Sequence, residues 1–255
     1  MNIYLKNLNR IEFVVTMACT GKCKHCSQGE HTSVDKIDKT LASEAVCKLA
    51  EEYNISSVMT FGGEPLLCYE TVCEIHKTAR DAGIPHRQLI TNGYFSKDSD
   101  AIKVVAEKLA ECGANDILLS VDAFHQETIP LDIVKVFAKA VLEESVPIRV
   151  QPAWLVSVDD NNPYNIRTRE ILGEFADMGI CANEGNVIFP AGNAVKYLGD
   201  YLKPMAENEN PYWENPADVR AICFSANGDI LGSNIYKKNI MDIMESYKPE
   251  LASGK

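Results

Sequence analysis

Long hydrophobic runs are missing from this sequence. No stretch approaches the roughly 18 apolar residues that a membrane helix needs, and the N-terminus, Met1-Asn2-Ile3-Tyr4-Leu5-Lys6-Asn7, has no apolar h-region of a secretory signal. A surplus of positive charge is missing too. The net charge is −11, whereas an extended nucleic-acid surface needs a basic face. There is no low-complexity linker and no repeated motif. These absences lead to the expectation of a cytoplasmic protein with neither membrane nor nucleic acid as partner. Thiols stay reduced in that compartment. The nine cysteines then point to metal, catalysis or core packing and not to disulfides.

What is present reads as an α/β protein. The 255 residues suffice for one large domain or two small ones, and the 46% hydrophobic content fills a core. Short apolar runs at 11–18, 57–61, 87–91, 116–122, 147–156 and 186–189 are expected as strands. Helical periodicity marks 41–53, 68–82, 98–112, 131–145 and 165–178. Gly83, Gly113 and Gly179 each follow a helical stretch, where a left-handed cap is expected. Ser96 and Asp98 are N-cap candidates for the third helix. Strand–helix alternation of this kind implies a parallel sheet covered by helices. Six strands suit a partial (β/α)6 TIM-like barrel over residues 1–190. Residues 191–255 would form a short extension that closes the barrel or shapes its entrance. Within it, 203–217 reads as a loop or lid. Asn227-Gly228, between the β-prone runs 219–224 and 230–235, predicts a hairpin, and 239–247 looks helical.

The chain is organised around Cys19-Thr-Gly-Lys-Cys23-Lys-His-Cys26, a C-x3-C-x2-C loop delivered by the first strand. A [4Fe–4S] cluster normally takes four thiolates. Three from one loop leave an iron open to a substrate or cofactor. The same thiols with His25 or His31 also make a Cys3His zinc set, so a zinc-binding structural module stays open at this point.

The loop resembles that of the radical S-adenosylmethionine (SAM) superfamily, with His25 at a place that is usually aromatic. Gly62-Gly63-Glu64-Pro65, ending the second strand, resembles the family's GGE motif. Together the two motifs weigh against zinc, since a zinc finger needs neither a barrel nor Gly-Gly-Glu-Pro. The resemblance covers 11 to about 190 and identifies no subfamily. It implies an oxidoreductase-type enzyme with Cys19, Cys23 and Cys26 as metal ligands. SAM would be split at a [4Fe–4S] cluster to a 5′-deoxyadenosyl radical that takes hydrogen from a peptide or small molecule. A reduced flavodoxin or ferredoxin-type donor would supply the electron. Glycyl-radical activases share the spacing, the Gly-Gly-Glu-Pro and a comparable length, so that activity is an alternative. They usually carry a Gly-Pro-Gly-type stretch ahead of the cysteines, which is missing here.

The resemblance also implies a cofactor site at the strand ends, where barrel enzymes gather reactive groups. Gly62, Gly63 and Glu64 would meet the SAM amino group. Asn92, in Thr91-Asn92-Gly93, would contact SAM or substrate. Ser120 and Asp122 share a strand face and suit the ribose. Arg149 and Gln151 share another; Arg149 inside an apolar strand needs an anion, either the SAM carboxylate or an internal partner. Val187 and Ile188 lie on the strand that resembles the adenine-binding one. His125 is a candidate proton-handling residue, with a solvated loop as the other reading. Cys223 is a candidate hydrogen-atom donor, with core packing as the other reading. If Cys223 faces the cavity, Ile222 and Phe224 must face away. One local cysteine in the tail completes no second cluster.

Overall fold

The computed structural model describes residues 2–30, 32–206, 209–210 and 212–249; His31 lies outside them. The elements run β1 (Arg10–Thr16), α1 (Lys39–Glu52), β2 (Ser57–Gly62), α2 (Tyr69–Asp81), β3 (His86–Thr91), α3 (Ser99–Cys112), β4 (Asp116–Ser120) and α4 (Ala123–Gln126). They continue with α5 (Leu131–Glu143), β5 (Ile148–Gln151), β6 (Ala153–Trp154), α6 (Pro163–Ala176), β7 (Asn186–Val187) and α7 (Asn193–Leu198). The tail adds β8 (Ala221–Phe224), β9 (Asp229–Ile230), β10 (Ser233–Asn234) and α8 (Ile240–Ser246). Local chemistry sets many of these ends. Asp38 caps α1 by accepting from the Thr40 and Leu41 amides. Asp98 caps α3, and Gly113, with φ 83°, ends it in the left-handed region.

Six strands form one sheet in the order β5-β4-β3-β2-β1-β8, and every neighbouring pair is parallel. Alternation along β1 turns Ile11, Phe13 and Val15 into the helix-covered core, all fully buried. Arg10 and Glu12 face the opposite, open side. Phe13 stacks on Phe224 of β8 with centroids 4.7 Å apart. Such a pair contributes about 0.5–1.5 kcal/mol beyond its buried area. The fold is thus the expected partial, TIM-like α/β arrangement, and no closed barrel is formed by the described residues. None of their helices is long and apolar enough to cross a membrane.

Two expectations need correction. The sixth strand of the main sheet is β8, from the tail, and not 186–189. Residues 181–188 instead run parallel beside the β5–β6 segment, where Pro152 breaks the ladder. Bonds from Val150 N–H to Cys181 O and from Ile188 N–H to Trp154 O hold them there. The hairpin is also displaced. Asn227-Gly228 makes a turn after β8, but the paired strands are β9 and β10. Their two-residue connection is Leu231-Gly232, with φ 49° and 70°. Left-handed values at both central positions match the twist of a two-residue hairpin.

Candidate functional site

β1 ends at the neck of the cysteine loop. Met17 N–H donates to Asp35 O at 2.9 Å and Ile37 N–H to Val15 O at 3.0 Å, so the chain leaves and returns at one point. Inside the loop, Gly21 N–H lies 3.4 Å from Cys19 Sγ and Asn92 Nδ2 lies 3.8 Å from the same sulfur. Asn193, at the start of α7, braces the loop from the other side. Its backbone N–H donates to Cys26 O at 2.9 Å and its side chain to Cys23 O at 3.2 Å. Gly192, with φ 52°, is required there: an added Cβ would lie 2.5 Å from Cys26 O. Burial pushes the Cys19 thiol up to about 11 and raises Cys26 and, most of all, Cys23. These are protonated thiols that metal binding must deprotonate. Three thiols on one braced loop, partly screened from water, fit a [4Fe–4S] cluster with one iron left for a further ligand.

Gly62 and Gly63 follow at the end of β2. Gly63 N–H donates to Thr16 O and Glu64 N–H to Ala18 O, both at 2.8 Å. A Cβ on Gly63 would stand 2.2 Å from Ala18 O. Here the glycines let two strand ends touch, a demand of the fold beside any demand of a ligand. The Glu64 carboxylate is fully buried. It accepts from Thr91 Oγ1 at 2.6 Å, from Asn92 N–H at 2.8 Å and from Leu66 N–H at 3.0 Å. Burial pushes its pKa up to about 7 against those donors. Glu64 therefore ties β2 to β3 through its side chain.

Ser120 ends β4 and pairs in register with Gln151 of β5. Gln151 accepts from Asn183 Nδ2 in a short contact. Asp122 differs from the expectation. Its carboxylate takes the Phe124 and His125 amides on Oδ1, each at 2.9 Å, and His125 Nδ1 and Ala153 N–H on Oδ2, at 2.8 and 3.0 Å. Burial opposes ionisation, but the neighbouring imidazoles and these donors outweigh it and hold the carboxyl far below its usual range. Four partners leave it no capacity for a ribose hydroxyl. His125 lies not in a solvated loop but on a single helical turn, α4, which Asp122 caps while fixing the ring.

Arg149 is corrected outright. It forms two bonds to Asp116, Nε–Oδ1 at 3.0 Å and Nη2–Oδ2 at 2.8 Å. Asp116 starts β4, at the far end of the sheet from the cysteines, so the internal partner wins over the SAM carboxylate. Gln88 Nε2 donates to Asp116 at 2.7 Å, Arg10 Nη1 to Gln88 at 3.1 Å, and Arg10 Nε meets Glu12 at 2.5 Å. A continuous polar chain, with its charges matched, thus crosses the open face. Cys223 looks onto the same face, because β8 places it opposite Glu12 while Ile222 and Phe224 are buried on the core side. Desolvation by its strand neighbours and the Glu12 charge raise its pKa, although the residue keeps substantial solvent exposure. Ile188 joins a small core with Phe124 and Leu155, whereas Val187 is about half exposed. Tyr212, from the loop after α7, reaches back: its ring lies 5.4 Å from Phe189, and its OH is 3.4 Å from Asn186 Nδ2.

The sequence profile of the Radical SAM superfamily matches residues 13–146, just over half of the chain. A probable GTP 3′,8-cyclase of Saccharolobus islandicus (strain L.S.2.15 / Lassen #1) is 28% identical over 176 residues, covering 67% of this chain and 53% of that protein. The chain thus spans about half the length of that relative. A GTP 3′,8-cyclase of Lactiplantibacillus plantarum is 26% identical over 117 residues, covering 45% of this chain and 33% of its own. Among solved structures, native anSMEcpe with bound AdoMet and Cp18Cys peptide superposes with a TM-score of 0.59 at 14% identity, covering 94% of this chain and 80% of that one. At that identity the likeness speaks for the fold alone. Profile, fold and the joined cysteine and Gly-Gly-Glu strand ends agree: this chain belongs to the radical SAM superfamily, enzymes that work with a [4Fe–4S] cluster and SAM.

Proposed function

We propose that this chain, with a [4Fe–4S] cluster on Cys19, Cys23 and Cys26, cleaves SAM reductively to a 5′-deoxyadenosyl radical that takes hydrogen from a polar peptide or small molecule. The observation that carries this reading is the direct bonding of the loop neck to the Gly62-Gly63-Glu64 backbone. It puts the three thiols and a set of backbone groups at one rim. The Gly62–Glu64 backbone would receive the amino group of SAM, and Ser120 with Gln151 the ribose. Val187 and Ile188 offer apolar surface for the adenine. Asn92, bonded to Thr20 at 3.2 Å, would hold the loop against the ligand. Asp122 and His125 position α4 beside it.

On the substrate side, Cys223 is the hydrogen-atom donor for the product radical, and the described part of 203–217, with Tyr212, forms a lid that excludes water; residues 207, 208 and 211 of that stretch lie outside the described residues. The division into a core over 1–190 and a tail over 191–255 belongs to the same proposal only with β8 of the tail counted into the core sheet. So do a reduced flavodoxin or ferredoxin-type donor and a cytoplasmic setting.

A second reading, GTP 3′,8-cyclisation, is favoured by the relatives' names. Partial coverage weighs against carrying that activity over, since this chain spans about half the length of the relative from Saccharolobus islandicus. The test is anaerobic: cluster-loaded protein, SAM and dithionite, with chromatography for 5′-deoxyadenosine. None formed at full iron loading sinks the main reading. A cyclised nucleotide on adding GTP would favour the second. A glycyl-radical EPR signal in an added partner enzyme would favour the activase.

A further inference from the structure

One ligand atom each of Cys23, His25 and His125 lies within 4.8 Å of the other two. In this group only Cys23 belongs to the three-cysteine motif. His125 comes from α4, about a hundred residues further along the chain, and Asp122 fixes it there. The Asp122 carboxylate accepts three backbone N–H groups. Backbone amides can only donate, so the carboxylate acts as an acceptor, and His125 Nδ1 carries the hydrogen of their 2.8 Å bond. In the neutral ring the other nitrogen is then the one with the lone pair. A carboxylate that holds one nitrogen of a histidine and leaves the second free is the usual support of a metal-binding imidazole.

His25 supplies the second observation. Its ring stands edge-on to His125, centroids 4.7 Å apart, and tilted against Phe124 at 5.1 Å. Its Nδ1 is shut off from solvent and has no partner among the described residues. A buried polar nitrogen without a hydrogen bond costs about 1–3 kcal/mol. Nothing in the Asp122 network relieves it, and the ring that carries it stands beside His125 and the Cys23 sulfur.

We propose that the chain, before its iron–sulfur cluster is inserted, holds one zinc-class divalent ion on Cys23, His25 and His125, with Asp122 as the supporting carboxylate. One thiolate, two imidazoles and an open fourth position match a tetrahedral zinc set. Zinc bond lengths imply ligand–ligand separations of roughly 3.3–3.8 Å. The three atoms therefore need to close by about an ångström, within reach of side-chain rotation. Binding is a ligand exchange with no redox step: the Cys23 thiol gives its proton to buffer and its sulfur bonds the metal. Cys23 cannot serve this ion and the cluster together. The site thus competes with cluster insertion, and loading the cluster expels the ion. This donor set differs from three cysteines with one histidine, because Cys19 and Cys26 take no part.

The test uses full-length, cluster-free protein and Zn2+ with a chromophoric competing chelator. One ion per chain is expected for the unaltered protein and for the Cys19→Ala/Cys26→Ala variant. His125→Ala should bind about a hundredfold or more weakly, and Asp122→Asn about tenfold to a hundredfold weakly, the usual cost of a lost supporting carboxylate. Circular dichroism checks that the variants fold, and His125→Asn serves as a second, polar replacement. Co2+ in place of Zn2+ should show one sulfur-to-metal charge-transfer band, lost in Cys23→Ala and kept in Cys19→Ala/Cys26→Ala. Zinc lost in Cys19→Ala/Cys26→Ala but kept in both His125 variants would overturn the proposal. So would the absence of any stoichiometric zinc.

Discussion

Glu12 and Cys223 face each other across the parallel β1–β8 ladder on the open side of the sheet. The carboxylate comes from the strand that feeds the cysteine loop and the thiol from the tail. A thiol that resists ionisation has a hydrogen atom to give, which a thiolate does not. Cys223→Ala should still form 5′-deoxyadenosine with SAM and reductant. With the true substrate its product should stall or lose stereochemical control. Unchanged yield and stereochemistry would make Cys223 a spectator.

Anaerobic reconstitution should give about four irons per chain, the content of one [4Fe–4S] cluster. Replacing Cys19, Cys23 and Cys26 by alanine together should remove iron and brown colour alike. Eight irons, or a cluster in the triple variant, would show that other cysteines serve as ligands.

Gly63→Ala should damage fold and site together. The new Cβ meets a backbone oxygen, not a flexible side chain, so the strand ends must part. Overpacking of this kind costs about 1–3 kcal/mol. In a chain of this size that reads as roughly 2–4 °C of melting temperature per kcal/mol. SAM affinity should fall as well; unaltered affinity in a folded variant would move the methionine end of SAM elsewhere.

Arg149→Met should leave SAM affinity within about twofold, because the guanidinium is committed to Asp116. Calorimetric titration of the cluster-loaded variant checks this. A tenfold loss would return Arg149 to the cofactor site.

His76 sets a pH dependence remote from the site. It is fully buried, bonded to Thr60 at 2.8 Å, and burial pushes its pKa from 6.5 down to about 3. The folded state thus binds fewer protons than the unfolded chain between those values. Its contribution is fully present above pH 6.5 and is lost as pH falls towards 3, by about 1.4 kcal/mol per unit. Urea midpoints across that window should slope less in His76→Gln than in the parent; equal slopes would assign the acid sensitivity to other groups.

Local signals made much of this readable from sequence. The cysteine spacing, Gly-Gly-Glu-Pro, the Asp98 cap and the Gly113 stop are each set within a few residues. What escaped the reading was set over long distances. Whether Arg149 served SAM or a neighbour depended on Asp116, thirty-three residues away and facing it only through strand register. Asp122 looked like a ribose ligand because alternation gives a face but not how many donors already claim a carboxylate. The role of 221–224 was hidden because an edge strand of four residues carries no sign of which edge it joins. For Cys223, alternation posed the question and the β8 register answered it.

The pairing of β8 with β1 has a consequence for synthesis on the ribosome. Some two hundred residues separate the partners, so this ladder carries a heavy loop-closure cost and forms late. Until 221–224 leaves the exit tunnel, the strand that bears the cysteine loop has one bare edge, open to pairing with another chain. A nascent chain stalled before Ala221 would therefore expose its cofactor-binding strand to aggregation, and emergence of 221–224 would end that hazard.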